Sequence, residues 1–156
     1  MPFNIVLVEP EIPQNTGNIA RTCAATGTVL HLVKPLGFDV SDRAAKRAGL
    51  DYWPFVKIRE YECLADFLAK HAGRPMYFVT TKGKHGHAGL EYEPDSFFLF
   101  GKETAGLDEG LLRENYERTV RIPMLPDERL RSLNLANSAA VILYEALRQH
   151  AYPGLS

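Results

Sequence analysis

The stretch Thr119–Ala140, TVRIPMLPDERLRSLNLANSAA, decides how this chain is read. Its opening, Thr119 to Ile122, is a short β-branched run that stops at Pro123. A polar loop with a second proline, Pro126, then carries Glu128, Arg129 and Arg131. Ser132-Leu133-Asn134 opens the strongest helical pattern in the sequence. Asn134 is a good N-cap, because its side-chain oxygen can accept from the free N–H groups of the first turn. Beyond it Leu135, Ala139, Ile142, Leu143, Ala146 and Leu147 recur at helical spacing, which predicts one apolar face. A loop too polar for a core, set between a strand and a helix, is where binding residues collect.

Other strands, loops and helices alternate upstream. Phe3 to Val8 reads as a buried strand ended by Glu9-Pro10, and EIPQNTGN as a loop before a short helix from Ile19 to Thr26, closed by Gly27. Val29 to Val33 is a second strand. Ser41 can cap a helix through Ala48 whose Arg43, Lys46 and Arg47 share one face. Phe55 to Arg59 is a third strand, and Glu62 to Ala72 an amphipathic helix with Leu64, Phe67 and Leu68 inward. Met76 to Thr81 is a strand, followed by a loop from Lys82 to Gly89. Ser96 to Phe100 is a strand too apolar to face water on either side. A tight loop, Gly101 to Gly106, leads to a helix near Asp108 to Asn115. Alternation of this kind implies an α/β domain with a largely parallel sheet covered on both faces. No repeat or linker divides residues 1–156, so one domain is expected.

Composition narrows the function without naming it. Eighteen Lys+Arg against nineteen Asp+Glu give a formal net charge of −1, so nucleic-acid binding would need a local basic face. The two cysteines, Cys23 and Cys63, make no C-x-x-C pair, and each falls in a helical pattern; buried thiols in a reducing cytoplasm are expected. The N-terminus lacks the basic start of a signal peptide, and no stretch approaches the ~20 apolar residues of a membrane span. A cytoplasmic protein is expected.

Ligands of open α/β sheets bind at loops beyond the carboxyl ends of strands. Four such loops, 9–18, 80–89, 101–106 and 123–134, are polar or glycine-rich. None holds a G-x-G-x-x-G, and Gly101–Gly106 lacks the Lys-Ser/Thr that completes a P-loop, which disfavours dinucleotide oxidoreductases and nucleoside triphosphatases. There is no G-x-S-x-G elbow. His85 and His87 have no carboxylate or cysteine cluster at matching spacing, so no metal is expected. Asn15 and Asn18 can be explained as satisfying backbone near a helix start. Arg21 is harder to explain so: its neighbours Ile19, Ala20, Cys23 and Ala24 are small or apolar. One turn into a short helix, its guanidinium would reach back toward the N-terminal loop and favour an anion there.

Asn15-x-x-Asn18-x-x-Arg21, Phe100-Gly-Lys-Glu-Thr-Ala-Gly106, and Ile122-Pro-Met with Ser132-Leu-Asn-Leu-Ala-Asn-Ser138 together resemble the three motifs of the SpoU (TrmH) family in the SPOUT superfamily, knotted RNA methyltransferases that use S-adenosylmethionine. EPEIPQNTGNIAR, KPLGF, AGLDY, TTKG and YEALRQHAYPG extend the similarity to the minimal TrmL type, which 2′-O-methylates the wobble nucleotide, cytidine or modified uridine 34, of leucine tRNAs. Two features depart from it: the Pro126–Asn134 loop is longer, and Ala136 stands where many relatives have serine.

The resemblance implies a C-terminal trefoil knot over about residues 77–156, and a cofactor held mainly by backbone. Val79, Gly101, Ile122, Ser132 and Leu133 would contact it, and Glu103 would order the loop or face a second subunit. It implies S-adenosylhomocysteine as product, no metal, and a homodimer whose active site spans the interface. Arg21 would be the leading catalytic residue, with Asn15 and Asn134 beside it. Ser138, Tyr144, Arg43, Lys46, Arg47, Arg129 and Arg131, with help from Lys82 and Lys84, would meet tRNA. A related enzyme for ribosomal RNA or another tRNA position, and a non-catalytic RNA-binding module, are the alternative readings.

Overall fold

The computed structural model describes residues 2–39 and 50–156, and side chains there except at 50–52. The expected helix from Ser41 to Ala48, with Arg43, Lys46 and Arg47, lies outside the described residues. In chain order the elements are β1 (Asn4–Val8), α1 (Pro13–Thr26), β2 (Val29–Val33), β3 (Ile58–Tyr61), α2 (Leu64–Lys70), β4 (Met76–Val79), β5 (His85–Gly86), β6 (Phe97–Phe100), α3 (Glu109–Glu114), β7 (Thr119–Arg121) and α4 (Leu135–Gln149).

The strands form one sheet in the order β3-β2-β1-β6-β4-β7-β5, and every neighbouring pair is parallel. All-parallel sheets are covered on both faces, which is why β1 and β6 read as unbroken apolar runs. Side chains alternate across the sheet. Ile5, Leu7, Leu30, Leu32, Phe98 and Phe100 therefore share one core with Ile19, Ala20 and Cys23 of α1 and with Ala139, Ile142, Leu143, Ala146 and Leu147 of α4. Val6, Val8, Val33, Phe78, Phe97 and Leu99 face the other way, under Phe67 of α2, with Leu111 and Leu112 of α3 packed against them. The periodic face of the last helix is thus the buried one. Each fully buried leucine or isoleucine on it contributes about 1.5–3 kcal/mol.

Strand register brings the candidate loops together. Val79 pairs with both Phe100 and Val120, so β4, β6 and β7 end level with one another. Their outgoing loops meet at one edge of the sheet. Arg121 pins the first of these loops, donating from one guanidinium nitrogen to the carbonyls of Gly83 and Lys84 at 2.8 Å each.

Four expectations need correction. α1 begins at Pro13, not Ile19, so Asn15 and Asn18 are helical residues rather than loop. Proline at the first helical position costs no hydrogen bond, and Asn15, Thr16 and Gly17 are buried, so packing outweighs their weak helix propensity. β3 begins three residues later than Phe55, because Leu50–Phe55 winds into a 3-10 turn containing Pro54. The Lys82–Gly89 loop contains the two-residue strand β5 at the sheet edge. Cys23 is buried, which pushes its thiol up to about 12, but Cys63 sits at the start of α2 and is exposed.

Candidate active site

The loops leaving β4, β6 and β7, with the start of α4, surround a cavity of about 530 Å³. That is ample for a drug-sized or nucleoside-sized ligand. Val79, Gly101, Glu103, Ile122, Ser132 and Leu133 all line it, as do Asn15, Asn134, Arg131, Lys82 and Ser138. Its apolar wall is Phe100, Leu107, Leu112, Met124 and Leu135.

The 101–106 loop is folded hard against itself. Lys102 and Gly106 form a bridge, with the Gly106 N–H donating to the Lys102 carbonyl at 2.8 Å. A Cβ on Gly101 would stand 2.0 Å from the Gly106 carbonyl carbon and 2.2 Å from the Leu107 nitrogen, a space only glycine can occupy. Gly106 has φ +71°, a left-handed backbone that glycine adopts at little cost.

That loop is tied to the entry of α1 by an exchange of carboxylates. Glu103 Oε2 accepts from the backbone N–H of Glu11 at 2.8 Å and of Ile12 at 3.2 Å. Glu11 Oε1 accepts in return from the Thr104 N–H at 3.0 Å and its hydroxyl at 2.8 Å. These two bonds, with Lys102 nearby, hold the Glu11 carboxyl below its ordinary value. Lys102 and Glu9 add a looser pair at 3.6 Å. Glu103 thus orders the loop, and its other oxygen, Oε1, is buried with no hydrogen-bond partner among the described residues. No local pattern in the chain hints at this lock, since its partners are more than ninety positions apart.

Asn134 caps α4 as expected, its Oδ1 accepting from the N–H groups of Ala136 at 2.8 Å and Asn137 at 3.2 Å. Its Nδ2 donates to Asn15 Oδ1 at 3.0 Å, joining the first and third motifs. Arg21 is placed otherwise than expected. It lies eight residues beyond Pro13, roughly 12 Å along the helix at 1.5 Å per residue. It is exposed, and it is not among the residues lining the cavity. Arg21 therefore does not sit at the start of α1.

The basic residues divide. Arg131 and Lys82 reach the cavity. Arg129 is engaged with Asp127, through Nε at 2.9 Å and a terminal nitrogen at 2.6 Å, and Lys84 pairs with Glu117 at 2.5 Å. Tyr144 is 44% exposed on the outer side of α4, away from the cavity lining. Thr80, Thr81 and Met124, which fall in the candidate loops and in the quoted TTKG and Ile122-Pro-Met stretches without an assigned role, also line the cavity; Leu112 of α3 lines it with no signal in the sequence.

Comparison with known proteins agrees with this architecture. The family model described as the SpoU rRNA methylase family matches residues 2–144. The chain is 52% identical to a tRNA (cytidine(34)-2′-O)-methyltransferase of Methylovorus glucosotrophus, covering 97% of this chain and 98% of that one. A solved structure described as structural insights into the 2-OH methylation of C/U34 on tRNA superposes with a TM-score of 0.89 at 43% identity, covering 96% of each chain. The SpoU methyltransferase AviRb of Streptomyces viridochromogenes, in complex with the cofactor AdoMet, superposes with a TM-score of 0.81 at 28% identity, over 96% of this chain and 58% of that one. With a family match over nearly all its length and a parallel sheet of the same build, the chain belongs to the SpoU methylase family.

Proposed function

We propose that this protein transfers a methyl group from S-adenosylmethionine to the ribose 2′-oxygen of the wobble nucleotide, C or U34, of tRNA, leucine isoacceptors first. The observation that carries the reading is the cavity itself. All five positions at which the resemblance puts the cofactor, Val79, Gly101, Ile122, Ser132 and Leu133, line one cavity at the ends of β4, β6 and β7, and Glu103 lines it beside them. Its fit is physical as well as positional. At Gly101 the 101–107 loop packs backbone against backbone, with no room for a Cβ, so the loop is built of main chain rather than side chains, and backbone N–H and carbonyl groups suit a nucleoside's mixed donors and acceptors.

When bound, S-adenosylmethionine supplies a methyl group already activated by its sulfonium charge, so the transfer needs no Lewis acid. The protein's task is to hold the ribose oxygen in line, to let its hydroxyl proton pass to water as the carbon–oxygen bond forms, and to stabilise the charge that develops on it. Ser132, Leu133 and Ile122 form the cofactor-facing wall, and Asn15, Ser138 and Arg131 the polar side on which RNA would lie. Arg21 acts as a fixed cation, clamping an RNA phosphate and countering the developing 2′-oxyanion. Because Arg21 lies off the cavity of its own chain, a homodimer completes the site, one protomer's Arg21 serving its partner's cavity. Support for the pairing surface comes from exposed apolar residues: Val141 and Tyr144 on the outer side of α4, with Ile12 and Leu133 at the cavity rim.

Residues 1–156 are read as one such domain, its C-terminal part knotted from about residue 77, working in the cytoplasm. Among the described residues no helix is long and apolar enough to cross a membrane.

The test is a methylation assay with methyl-labelled S-adenosylmethionine and leucine tRNA transcripts, mapped by partial hydrolysis. Label on the 2′-oxygen of nucleotide 34 is expected. Label on a base, at another nucleotide, or only in ribosomal RNA would overturn the reading.

A further inference from the structure

Two asparagine amides meet at the cavity, and the chain itself decides which way round each one faces. Oxygen and nitrogen of an amide are told apart by their hydrogen-bond partners. Asn134 leaves no choice: two backbone N–H groups, those of Ala136 and Asn137, point at one end of its amide. Only an oxygen can accept both, so that end is Oδ1. The opposite end is then Nδ2, a donor, and it lies 3.0 Å from the Asn15 amide. The Asn15 atom facing it has to be an acceptor, which makes it Oδ1. What remains of Asn15 is Nδ2, with two N–H donors, on a residue that is 5% exposed and lines the cavity. That nitrogen makes no hydrogen bond among the described residues.

We propose that Asn134 is a positioning residue that acts through Asn15: helix α4's N-cap fixes the Asn15 amide so that it presents donors to an oxygen of the bound RNA, either the ribose 2′-oxygen at the reacting centre or the phosphate beside it. A presented donor cannot take the hydroxyl proton, so Asn15 is not the base. It orients or stabilises an oxygen that carries lone pairs or developing negative charge. The helix cap thereby couples two segments more than a hundred residues apart. A cap that formed without Asn15, or an Asn15 that turned freely, would lose that orientation. The ligand class follows from the donor's surroundings. The strand-end loops supply the backbone wall, while Asn15 comes from α1, at the cavity side that also carries Ile12.

The inference rests on the methyl-transfer reading, which wild-type turnover on tRNA tests separately under the same conditions. The experiment is a double-mutant cycle in single-turnover kinetics with Asn15→Ala, Asn134→Ser and the pair. Serine still caps a helix, yet is too short to reach Asn15. Asn134→Asp serves as a second variant, since aspartate also caps but, when ionised, offers no donor. The Asn134→Ser variant is expected to lose about tenfold in rate, the scale of one oriented hydrogen bond. Its melting midpoint and S-adenosylhomocysteine affinity should stay within about threefold or a few degrees of wild type. Asn15→Ala should lose at least as much, and the double variant no more than Asn15→Ala alone. A fall in rate at unchanged RNA affinity identifies the 2′-oxygen as partner; a fall in RNA affinity identifies the phosphate. Additive losses in the pair, a wild-type rate in both Asn134 variants, or a loss confined to cofactor affinity would overturn the proposal.

Discussion

Two ends of the same sheet treat their polar groups in opposite ways. On the β1–β2–β3 side, Asn4 donates to the Asp95 carbonyl at 3.1 Å and accepts from His31 Nε2 at 2.9 Å. His31 Nδ1 then accepts from the Tyr61 hydroxyl at 2.8 Å, whose oxygen accepts from His71 Nε2 at 2.9 Å. Each of these four side chains is hydrogen-bonded to the next, and Phe67 and Phe97 close around them edge-on or tilted. At the ends of β4, β6 and β7 polar groups are left open. Among the described residues, Glu103 Oε1 is buried without a partner, and the Asn15 amide nitrogen, opposite the oxygen that Asn134 holds, makes no hydrogen bond. Buried polar groups are costly unless they are paired. A protein that satisfies one end so completely and leaves the other end open has kept the open end for a ligand.

The largest expected effect breaks the open end outright. Gly101→Ala puts a methyl group within 2.0 Å of backbone, so the 101–106 loop must move. S-adenosylhomocysteine affinity should fall by about a hundredfold or more, on the scale of severe backbone strain, while a melt still reports a folded sheet. Calorimetric affinity within a few-fold of wild type would show that the loop is not the cofactor wall.

Arg21 tests whether the open end is complete in one chain. Arg21→Ala should cost about a hundredfold in single-turnover rate with cofactor affinity intact, and Arg21→Lys should retain measurable turnover. Mixing Arg21→Ala with Gly101→Ala protein should restore activity if each chain's Arg21 serves its partner's cavity. No recovery in the refolded mixture would place the whole site in one protomer.

The closed end answers to pH. Burial first, then the positive charges of His71 and Arg59, push His31 down to about 3, and burial likewise lowers His71. The unfolded chain titrates its histidines near 6.5. Between these values the unfolded state binds the extra proton, so stability rises with pH and is lost as pH falls from about 6.5 toward about 3. Urea midpoints across that window should fall steeply for wild type and less steeply for His31→Gln. Equal slopes would contradict the assignment of the proton to His31.

How these ends differ was only half legible in the sequence. The strands announced themselves, since Val29–Val33, Met76–Val79 and Phe97–Phe100 are apolar runs that a buried parallel sheet demands. The α4 cap at Asn134 was readable from residue type and helical spacing, and the cavity positions from the family resemblance of the three motifs. The start of α1 was not. Asn15, Gly17 and Asn18 have loop-like preferences, and only the burial of this first turn, a tertiary fact, makes it helical. The two residues of β5 are too few for any periodicity. The Glu11–Thr104 and Glu103–Ile12 bonds, and the Asn4–His31–Tyr61–His71 chain, join distant segments that no local pattern connects.

The smallest effect is expected at Arg129. Its side chain is 89% exposed and already paired with Asp127, and an exposed pair of this kind contributes about 0–1 kcal/mol. Arg129→Ala should change tRNA affinity less than about twofold, whereas Arg131→Ala, at the cavity, should change it more. Filter binding at two salt concentrations separates them. Equal losses would mean the loop meets RNA as a unit.

Amide hydrogen exchange with and without S-adenosylhomocysteine tests the contrast between the two ends most directly. Protection confined to residues 79–83, 101–107 and 122–135, with no change around His31, Tyr61 and His71, is the predicted result. Protection at the β1–β2–β3 end, or no protection at a saturating concentration, would contradict it.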